Sequence, residues 1–215
     1  MESLWLYFLG FLGQALFGSR LIVQLFQSEK AGKVVSPVAF WYLSLAGSFI
    51  FMVYGIFRQD LVIIGGQFLS YFIYIRNLQL KDAWTFPNGA KAIILTLPLL
   101  ATGGFFLYGD TSIALDVGIL LHPVMLMGVI GQLALNLRFV YQWYYSEKQQ
   151  SSILPVGFWQ ISVWASVLVI IYSLFHPVHK IDVVLLVSQT MGITVYARNL
   201  WIYRRSRRNA VQTVV

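Results

Sequence analysis

The sequence predicts an all-α, polytopic membrane protein with seven transmembrane helices. Hydrophobic residues make up 58% of the 215-residue chain, charged residues make up 11%, and the mean hydropathy is +0.71. A soluble domain has about 25% charged residues, which it needs to cover its surface. The apolar stretches have the length of membrane helices and exceed the roughly ten-residue alternating strands of an outer-membrane barrel. This composition excludes a soluble enzyme and a disordered chain.

Seven apolar stretches, separated by short polar connections, define the predicted spans. They cover residues 4–27, 37–57, 61–80, 92–109, 117–145, 154–175 and 182–203. The chain has no cysteine, which excludes disulfides and thiol chemistry, and its three histidines are too few for a rich metal site. We therefore predict no cofactor and no metal. His122, His176 and His179 receive no functional role.

The basic residues predict the orientation of the chain. If the N-terminus lies outside, eleven of the fifteen lysines and arginines fall on the cytoplasmic side and two on the opposite side. The remaining two, Arg20 and Arg138, lie within spans. Because cytoplasmic loops carry an excess of basic residues, we predict an outside N-terminus and a cytoplasmic C-terminus. The net charge of +7 reflects this orientation rather than nucleic-acid binding. The arginines at 204–208 are interpreted as a stop-transfer signal or as contacts to anionic lipid headgroups.

An internal duplication is the strongest pattern in the chain. Polar identities recur at an offset of 118, as in Gly13/Gly131, Gln14/Gln132, Arg20/Arg138, Gln24/Gln142, Ser28/Ser146, Glu29/Glu147, Lys30/Lys148, Pro37/Pro155, Trp41/Trp159, Ser44/Ser162 and Ser48/Ser166. After an insertion around residues 176–179 the offset becomes 122, as in Asp60/Asp182, Gln67/Gln189, Tyr74/Tyr196, Arg76/Arg198, Asn77/Asn199 and Leu78/Leu200.

Each repeat contains three spans, and the fourth span has no counterpart. A repeat with an odd number of spans would place its second copy in the opposite orientation in the membrane, unless one further span intervened. We therefore predict a 3+1+3 arrangement of parallel repeats joined by an inversion linker helix. The predicted domains are a first bundle at 1–81, a linker with helix four at 82–112, a second bundle at 113–204 and a basic tail at 205–215. Parallel repeats of this kind share a site at their interface.

The repeated motifs are Gly-Gln-x5-Arg-x3-Gln-x3-Ser-Glu-Lys, Pro-x2-Phe-Trp and Tyr-x-Arg-Asn-Leu. They resemble the lipid A biosynthesis N-terminal domain family, here in two copies over residues 8–80 and 126–203. The 3+1+3 arrangement is similar to the sugar-transporter and PQ-loop superfamily, although no Pro-Gln pair ends span one or span five. The resemblance implies a role in lipid-saccharide metabolism in the bacterial inner (cytoplasmic) membrane. The family name refers to lipid-A-disaccharide synthase, but the chain lacks the βαβ pattern of a nucleotide-sugar glycosyltransferase, so we predict that it is not an enzyme.

Two arginines within spans provide the main functional hypothesis. Arg20 lies seven residues before the end of span one, or roughly 10 Å at 1.5 Å per residue, and Arg138 lies at the equivalent depth. Guanidinium groups bind phosphate or carboxylate in bidentate fashion. The structural alternative is that each arginine pairs with a carbonyl or a glutamine, or extends to the membrane surface.

The candidate substrate-binding residues are polar side chains that recur inside the spans. They are Arg20, Gln24, Arg138, Gln142, Gln14, Gln132, Gln67, Gln189, Tyr74 and Tyr196. In span three, Gln67, Tyr71 and Tyr74 share one helix face, which lines a substrate path or packs against neighbouring helices.

A second set of candidates lies at the cytoplasmic ends of the spans. It consists of Glu29, Arg76, Glu147, Arg198, Asn77 and Asn199. We expect the ion pairs Glu29–Arg76 and Glu147–Arg198, one closing each bundle or acting as an inner gate. Trp41 and Trp159, just inside spans two and six, are interpreted as interface anchors or as substrate-stacking residues.

These residues favour a transporter or flippase for an anionic lipid-linked saccharide, such as a polyprenyl-phosphate sugar. A small-sugar facilitator and a non-catalytic accessory of a membrane glycosyltransferase are the alternatives. The expected partners are a membrane lipid or lipid-linked saccharide and, for the accessory, a membrane glycosyltransferase. No nucleic-acid partner is expected.

The predicted orientation can be checked by cysteine labelling, since the chain has no cysteine of its own. Glu2→Cys should react with a membrane-impermeant maleimide added to intact cells, and Ala210→Cys only after the membrane is opened. Reaction of both cysteines from the same side would contradict a seven-span topology.

Overall fold

The computed structural model describes residues 4–58, 61–108, 123–175 and 183–212. These residues form seven helices: α1 (Leu4–Ala31), α2 (Val38–Arg58), α3 (Leu61–Gln79), α4 (Asn88–Tyr108), α5 (Pro123–Gln149), α6 (Val156–Leu174) and α7 (Val183–Gln212). The predicted all-helical class is confirmed for this part of the chain. His122, His176 and His179 lie outside the described residues.

The helices end where the backbone adopts conformations that a helix cannot continue. Gly32, just after α1, has a φ of 65°, and Gln150, just after α5, has a φ of 46°. Such positive φ values are typical of the residue that follows a helix. Pro155 precedes α6 with an extended backbone. The corresponding connections of the two repeats therefore end and restart their helices with similar local chemistry.

Four helices are long and apolar enough to cross a membrane. They contain the segments Phe8–Ala31, Val38–Phe57, Asn88–Leu107 and Val156–Leu174. The prediction of membrane helices is confirmed for these four. That α3, α5 and α7 also cross the membrane stays a prediction.

Large apolar side chains cover the outside of several helices. Phe26 is 71% exposed, Trp164 is 72% exposed and Leu107 is 77% exposed. Extended apolar surfaces of this kind are rare on soluble monomers. Lipid is the solvent in which such side chains lose nothing by exposure, which agrees with the membrane-helix prediction.

The described residues divide into two compact units, and α1 contributes to both. The first unit contains α1 up to Arg20, then α2, α3, α4 and the segment Gln150–Ser152. The second unit contains Leu21–Pro37, which is the remainder of α1 and its following loop, together with α5, α6 and α7. Each unit thus includes a short segment of the other repeat.

In the first unit, the unrepeated helix α4 packs on α2 and α3. Phe105 of α4 joins Met52 and Ile64 in a buried cluster. The Tyr71 hydroxyl donates a 2.9 Å hydrogen bond to the Ile94 carbonyl of α4. Tyr71 therefore fixes α4 against the first bundle, so that one of the three residues of the polar face predicted on α3 serves helix packing.

In the second unit, α6 packs between α5 and α7. The approach of α5 to α6 is close at Gly131, where an added Cβ would lie 2.8 Å from Val169 Cγ2 and 3.0 Å from the Ala165 carbonyl oxygen. The absence of a side chain at this position lets the two helices approach.

We expect Gly131→Ala to lower the thermal stability of the detergent-purified protein, because the added methyl meets the Val169 side chain and the Ala165 carbonyl oxygen, a backbone atom that cannot move away. Overpacking of this kind costs about 1–3 kcal/mol. Gly103→Ala is the matched control, since an added Cβ there has no atom within 4 Å. Thermal unfolding followed by circular dichroism measures both variants, and equal melting temperatures would contradict the close approach.

Candidate functional site

Arg20 is held inside the first unit by side chains from α2 and α3. It is 5% exposed. Its Nη1 donates hydrogen bonds to Ser44 Oγ at 2.9 Å and to Tyr74 OH at 3.1 Å. The guanidinium carbon lies 4.5 Å from the centre of the Phe17 ring and 5.4 Å from that of Phe40. One arginine thus joins all three helices of the bundle.

Arg138 has the equivalent environment in the second unit. It is 6% exposed, and its Nη1 donates a 2.6 Å hydrogen bond to Ser162 Oγ. Its guanidinium carbon lies 5.1 Å from the centre of the Phe158 ring and 5.2 Å from that of Tyr196. Cation–π contacts of this kind stabilise a buried guanidinium.

The acceptor serines are themselves fixed by their helices. Ser44 Oγ donates to the Phe40 carbonyl and Ser162 Oγ to the Phe158 carbonyl, each at 2.6 Å. With its proton committed to the backbone, each hydroxyl presents only its lone pairs to the arginine. Both serines recur in the sequence at the same offset as the arginines, and this recurrence is the signal that could have assigned them a role.

Trp41 and Trp159 are fully buried, with an exposure of 0%. The interpretation of these residues as interface anchors is therefore wrong, because an anchor must reach the lipid headgroups. Packing against the third helix of each bundle explains the burial. Trp41 lies 6.1 Å from Tyr74 and Trp159 lies 6.0 Å from Tyr196, measured between ring centres.

Gln24 and Gln142 hold the loops that follow their helices. Gln24 Nε2 donates to Ser28 Oγ at 2.9 Å and to the Val35 carbonyl at 3.2 Å. Gln142 Nε2 donates to Ser146 Oγ at 2.7 Å and to the Ile153 carbonyl at 2.8 Å. The Gln-x3-Ser part of the motif thus fixes the connection to the next helix. That these glutamines also bind substrate stays a prediction.

A reciprocal amide pair joins α1 to α7 inside the second unit. Gln24 Nε2 donates to Asn199 Oδ1 at 2.8 Å, and Asn199 Nδ2 donates to Gln24 Oε1 at 3.0 Å. Both residues have an exposure of 0%. In the first unit, Asn77 Oδ1 accepts a 2.7 Å hydrogen bond from Ser152 Oγ. Each asparagine therefore receives a partner from the other repeat.

The ion pair formed by Glu29 differs from the sequence prediction. Arg198 Nε donates to Glu29 Oε1, so the expected pairs Glu29–Arg76 and Glu147–Arg198 are corrected. Among their contacts, Arg76 Nη1 donates to Gln79 Oε1 at 3.3 Å, and Glu147 accepts a 3.0 Å hydrogen bond from Trp143 Nε1. Glu29 meets Arg198 because the end of α1 packs beside α7.

The remaining candidates do not gather around the arginines. Gln14 is exposed and Gln132 is half-buried. Six helical residues separate Gln14 from Arg20, which places the two side chains about 120° apart around the helix. Gln189 Oε1 accepts a 2.7 Å hydrogen bond from Ser166 Oγ. The half-buried Gln67 has a buried Oε1 without a partner among the described residues.

The fold and the site define an all-helical protein with membrane-length apolar helices and one enclosed arginine in each of two equivalent settings. The chain belongs to the Lipid A Biosynthesis N-terminal domain family, whose model matches it twice, at residues 9–79 and 127–201. The two matches agree with the duplication inferred from the polar motifs.

Curated proteins similar to this chain are named lipid-A-disaccharide synthase. The protein of Chlamydia pneumoniae is 28% identical over 174 residues, which cover 78% of this chain and 29% of that protein. The protein of Chlamydia felis is 28% identical over an alignment of 215 positions, which covers 94% of this chain and 34% of that protein. The chain therefore spans about a third of the length of these relatives. No solved structure matches it significantly.

The amide pair predicts strong coupling between Gln24 and Asn199. Asn199→Leu should destabilise the protein by about 1–3 kcal/mol, because the buried Gln24 Oε1 loses its hydrogen-bond donor. The double variant Gln24→Leu/Asn199→Leu should cost less than the sum of the two single variants.

Thermal unfolding of all three variants measures this coupling. Thr190→Val, an exposed position on the same helix, combined with Gln24→Leu is the control and should be additive. Additive behaviour of the Gln24–Asn199 pair would contradict the reciprocal hydrogen bonds.

Proposed function

We propose that this chain is a membrane protein of lipid A or lipopolysaccharide-type saccharide metabolism that binds an anionic lipid-linked saccharide and moves it across the membrane. A polyprenyl-phosphate sugar is the substrate class that fits best. The family match and the names of the relatives support the metabolic context. The observation that carries the proposal is the burial of Arg138 without a carboxylate partner among the described residues.

A buried cation of this kind needs an explanation beyond packing. A charge at the centre of a membrane helix costs about 2.5–3.5 kcal/mol on insertion scales. Ser162 and the rings of Phe158 and Tyr196 offset part of this cost, but none of them carries a negative charge. Residues of this type inside membranes mark substrate paths, and phosphate is the group that a guanidinium fork recognises best.

Arg20 supports the same interpretation from the other repeat. Its Nη1 is shared by Ser44 and Tyr74, so the chain keeps a guanidinium at the same motif position twice. A neutral sugar would give no reason for two buried arginines, which disfavours a small-sugar facilitator. The orientation in a bacterial inner membrane, with the N-terminus outside and the C-terminus in the cytoplasm, belongs to this proposal.

The relatives favour a second candidate function, that of a non-catalytic accessory to a membrane glycosyltransferase. In the Chlamydia proteins the similar segment is about a third of a longer protein named lipid-A-disaccharide synthase. A domain of this family that presents a lipid-linked saccharide to a glycosyltransferase would need the same binding site but no transport. We assign no synthase activity to the chain itself.

Substitution of Arg138 tests the binding step that both candidates share. Arg138→Lys should weaken binding of a polyprenyl-phosphate sugar, because lysine keeps the charge but loses the fork. Arg138→Gln should weaken it about tenfold or more, in line with hydrogen bonds to charged groups, and Arg20→Gln/Arg138→Gln should abolish it.

Native mass spectrometry of the full chain in nanodiscs measures this binding. Lys33→Gln, which removes an exposed cation from the loop after α1, is the control and should bind like the wild type. Wild-type affinity in the double variant would overturn the proposal. Movement of the lipid across vesicle membranes separates the two candidates. A variant that keeps its binding but loses this movement is expected for a transporter and not for an accessory.

A further inference from the structure

Each buried arginine shares two aromatic neighbours with a buried tryptophan, whose indole N–H has no acceptor among the described residues. Trp41 Nε1 and Trp159 Nε1 are both buried, and neither has a hydrogen-bond partner within the part of the chain that the structure describes. Most buried polar side-chain atoms in proteins have a partner. An unpaired donor at the same position of both repeats therefore calls for a physical cause.

The indole and the guanidinium of each unit adjoin the same two aromatic rings. In the second unit, the Phe158 ring lies 5.0 Å from that of Trp159 and 5.1 Å from the Arg138 guanidinium carbon. The Tyr196 ring lies 6.0 Å from that of Trp159 and 5.2 Å from that carbon. The two donor groups thus belong to one cluster.

The first unit repeats this arrangement with the equivalent side chains of the first repeat. The Phe40 ring lies 4.7 Å from that of Trp41 and 5.4 Å from the Arg20 guanidinium carbon. The Tyr74 ring lies 6.1 Å from that of Trp41 and 5.7 Å from the same carbon. Both units show the same shared neighbours. Chance packing at one position therefore does not explain the arrangement.

The described cluster of the second unit offers two unpartnered donors and a positive charge. Arg138 Nε is buried without a partner among the described residues, as is Trp159 Nε1. Ser162 Oγ already accepts from Arg138 and donates to the Phe158 carbonyl, and the Tyr196 hydroxyl can accept as well. A neutral sugar hydroxyl would leave the charge of Arg138 uncompensated, whereas an oxyanion accepts from both donors and neutralises that charge. The chemistry that fits this cluster best is therefore an oxyanion.

We infer that Trp159 and Trp41 are binding residues for a phosphate ester, each donating its indole N–H to a phosphate oxygen beside the arginine of its own unit. This inference rests on the proposed function, which it deepens by adding the two tryptophans and by assigning one phosphate site to each repeat. The aromatic rings around each site exclude water and strengthen the charge-assisted hydrogen bonds.

The test uses the full chain with 15N-labelled tryptophan in lipid nanodiscs. A polyprenyl monophosphate is the lipid-linked probe, inorganic phosphate is the soluble probe, and the uncharged polyprenol is the control ligand. The phosphate probe should shift two exchange-protected indole N–H resonances downfield, as expected for new hydrogen bonds to an anion, and the polyprenol should shift neither. A response to the lipid probe alone identifies a lipid-linked ligand, and a response to inorganic phosphate identifies a free one.

Trp159→Phe keeps an aromatic ring and removes the donor, so it should weaken binding of the responding phosphate probe about tenfold. Trp164→Phe is the matched control on the same helix, because Trp164 is 72% exposed, and its affinity should equal that of the wild type. Should Trp159→Phe fail to fold, the two indole resonances of the wild type still decide the question.

The outcomes separate this inference from the proposed function. If the wild type binds the phosphate probe, Arg138→Gln weakens binding, but the protected indole resonances stay unshifted and Trp159→Phe binds normally, the tryptophans are not ligands and the inference is overturned. An internal water on the indole N–H would give that result. If the wild type binds no phosphate probe, the proposed function itself fails.

Discussion

The burial of a guanidinium among apolar helices is the constraint on which the described structure depends. Arg20 reaches Ser44 of α2 and Tyr74 of α3, so a single side chain of α1 ties its bundle together. Arg138 likewise joins its bundle, by a hydrogen bond to Ser162 of α6 and a cation–π contact with the Tyr196 ring of α7. A charge that is costly in lipid is thus stabilised by a serine whose proton is already committed and by aromatic faces that interact with a cation.

The motif residues now divide by what the fold explains. Gln24 and Gln142 fix the loops after α1 and α5, and Asn199 completes the amide pair of Gln24. These polar groups find partners within the chain, so that structure alone accounts for them. The arginine–tryptophan clusters retain donors in Trp41, Trp159 and Arg138 Nε that have no acceptor in the described part of the chain. Function is therefore better sought at these clusters than at every polar residue of the motif.

Much of the fold could be predicted from the sequence, because hydropathy marks the helices and the offset of 118 marks equivalent residues. The choice of ion-pair partner could not. Arg76 and Arg198 are equivalent by repetition, so sequence spacing cannot tell which one Glu29 contacts, and only packing of α1 on α7 selects Arg198. The burial of Trp41 and Trp159 was missed for a similar reason: a tryptophan near the start of a span suits a membrane interface as well as a bundle interior, and only the third helix decides between them.

The pair formed by Gln24 and Asn199 also constrains the order in which the protein is made. The two amides are separated by 175 residues, and Asn199 lies in the last helix. During synthesis, Gln24 enters the membrane long before its partner leaves the ribosome, and the second unit cannot assemble fully until α7 meets the waiting segment of α1. Contacts of such long range delay folding, so Gln24 Oε1 receives its hydrogen bond from Asn199 only after α7 has been made.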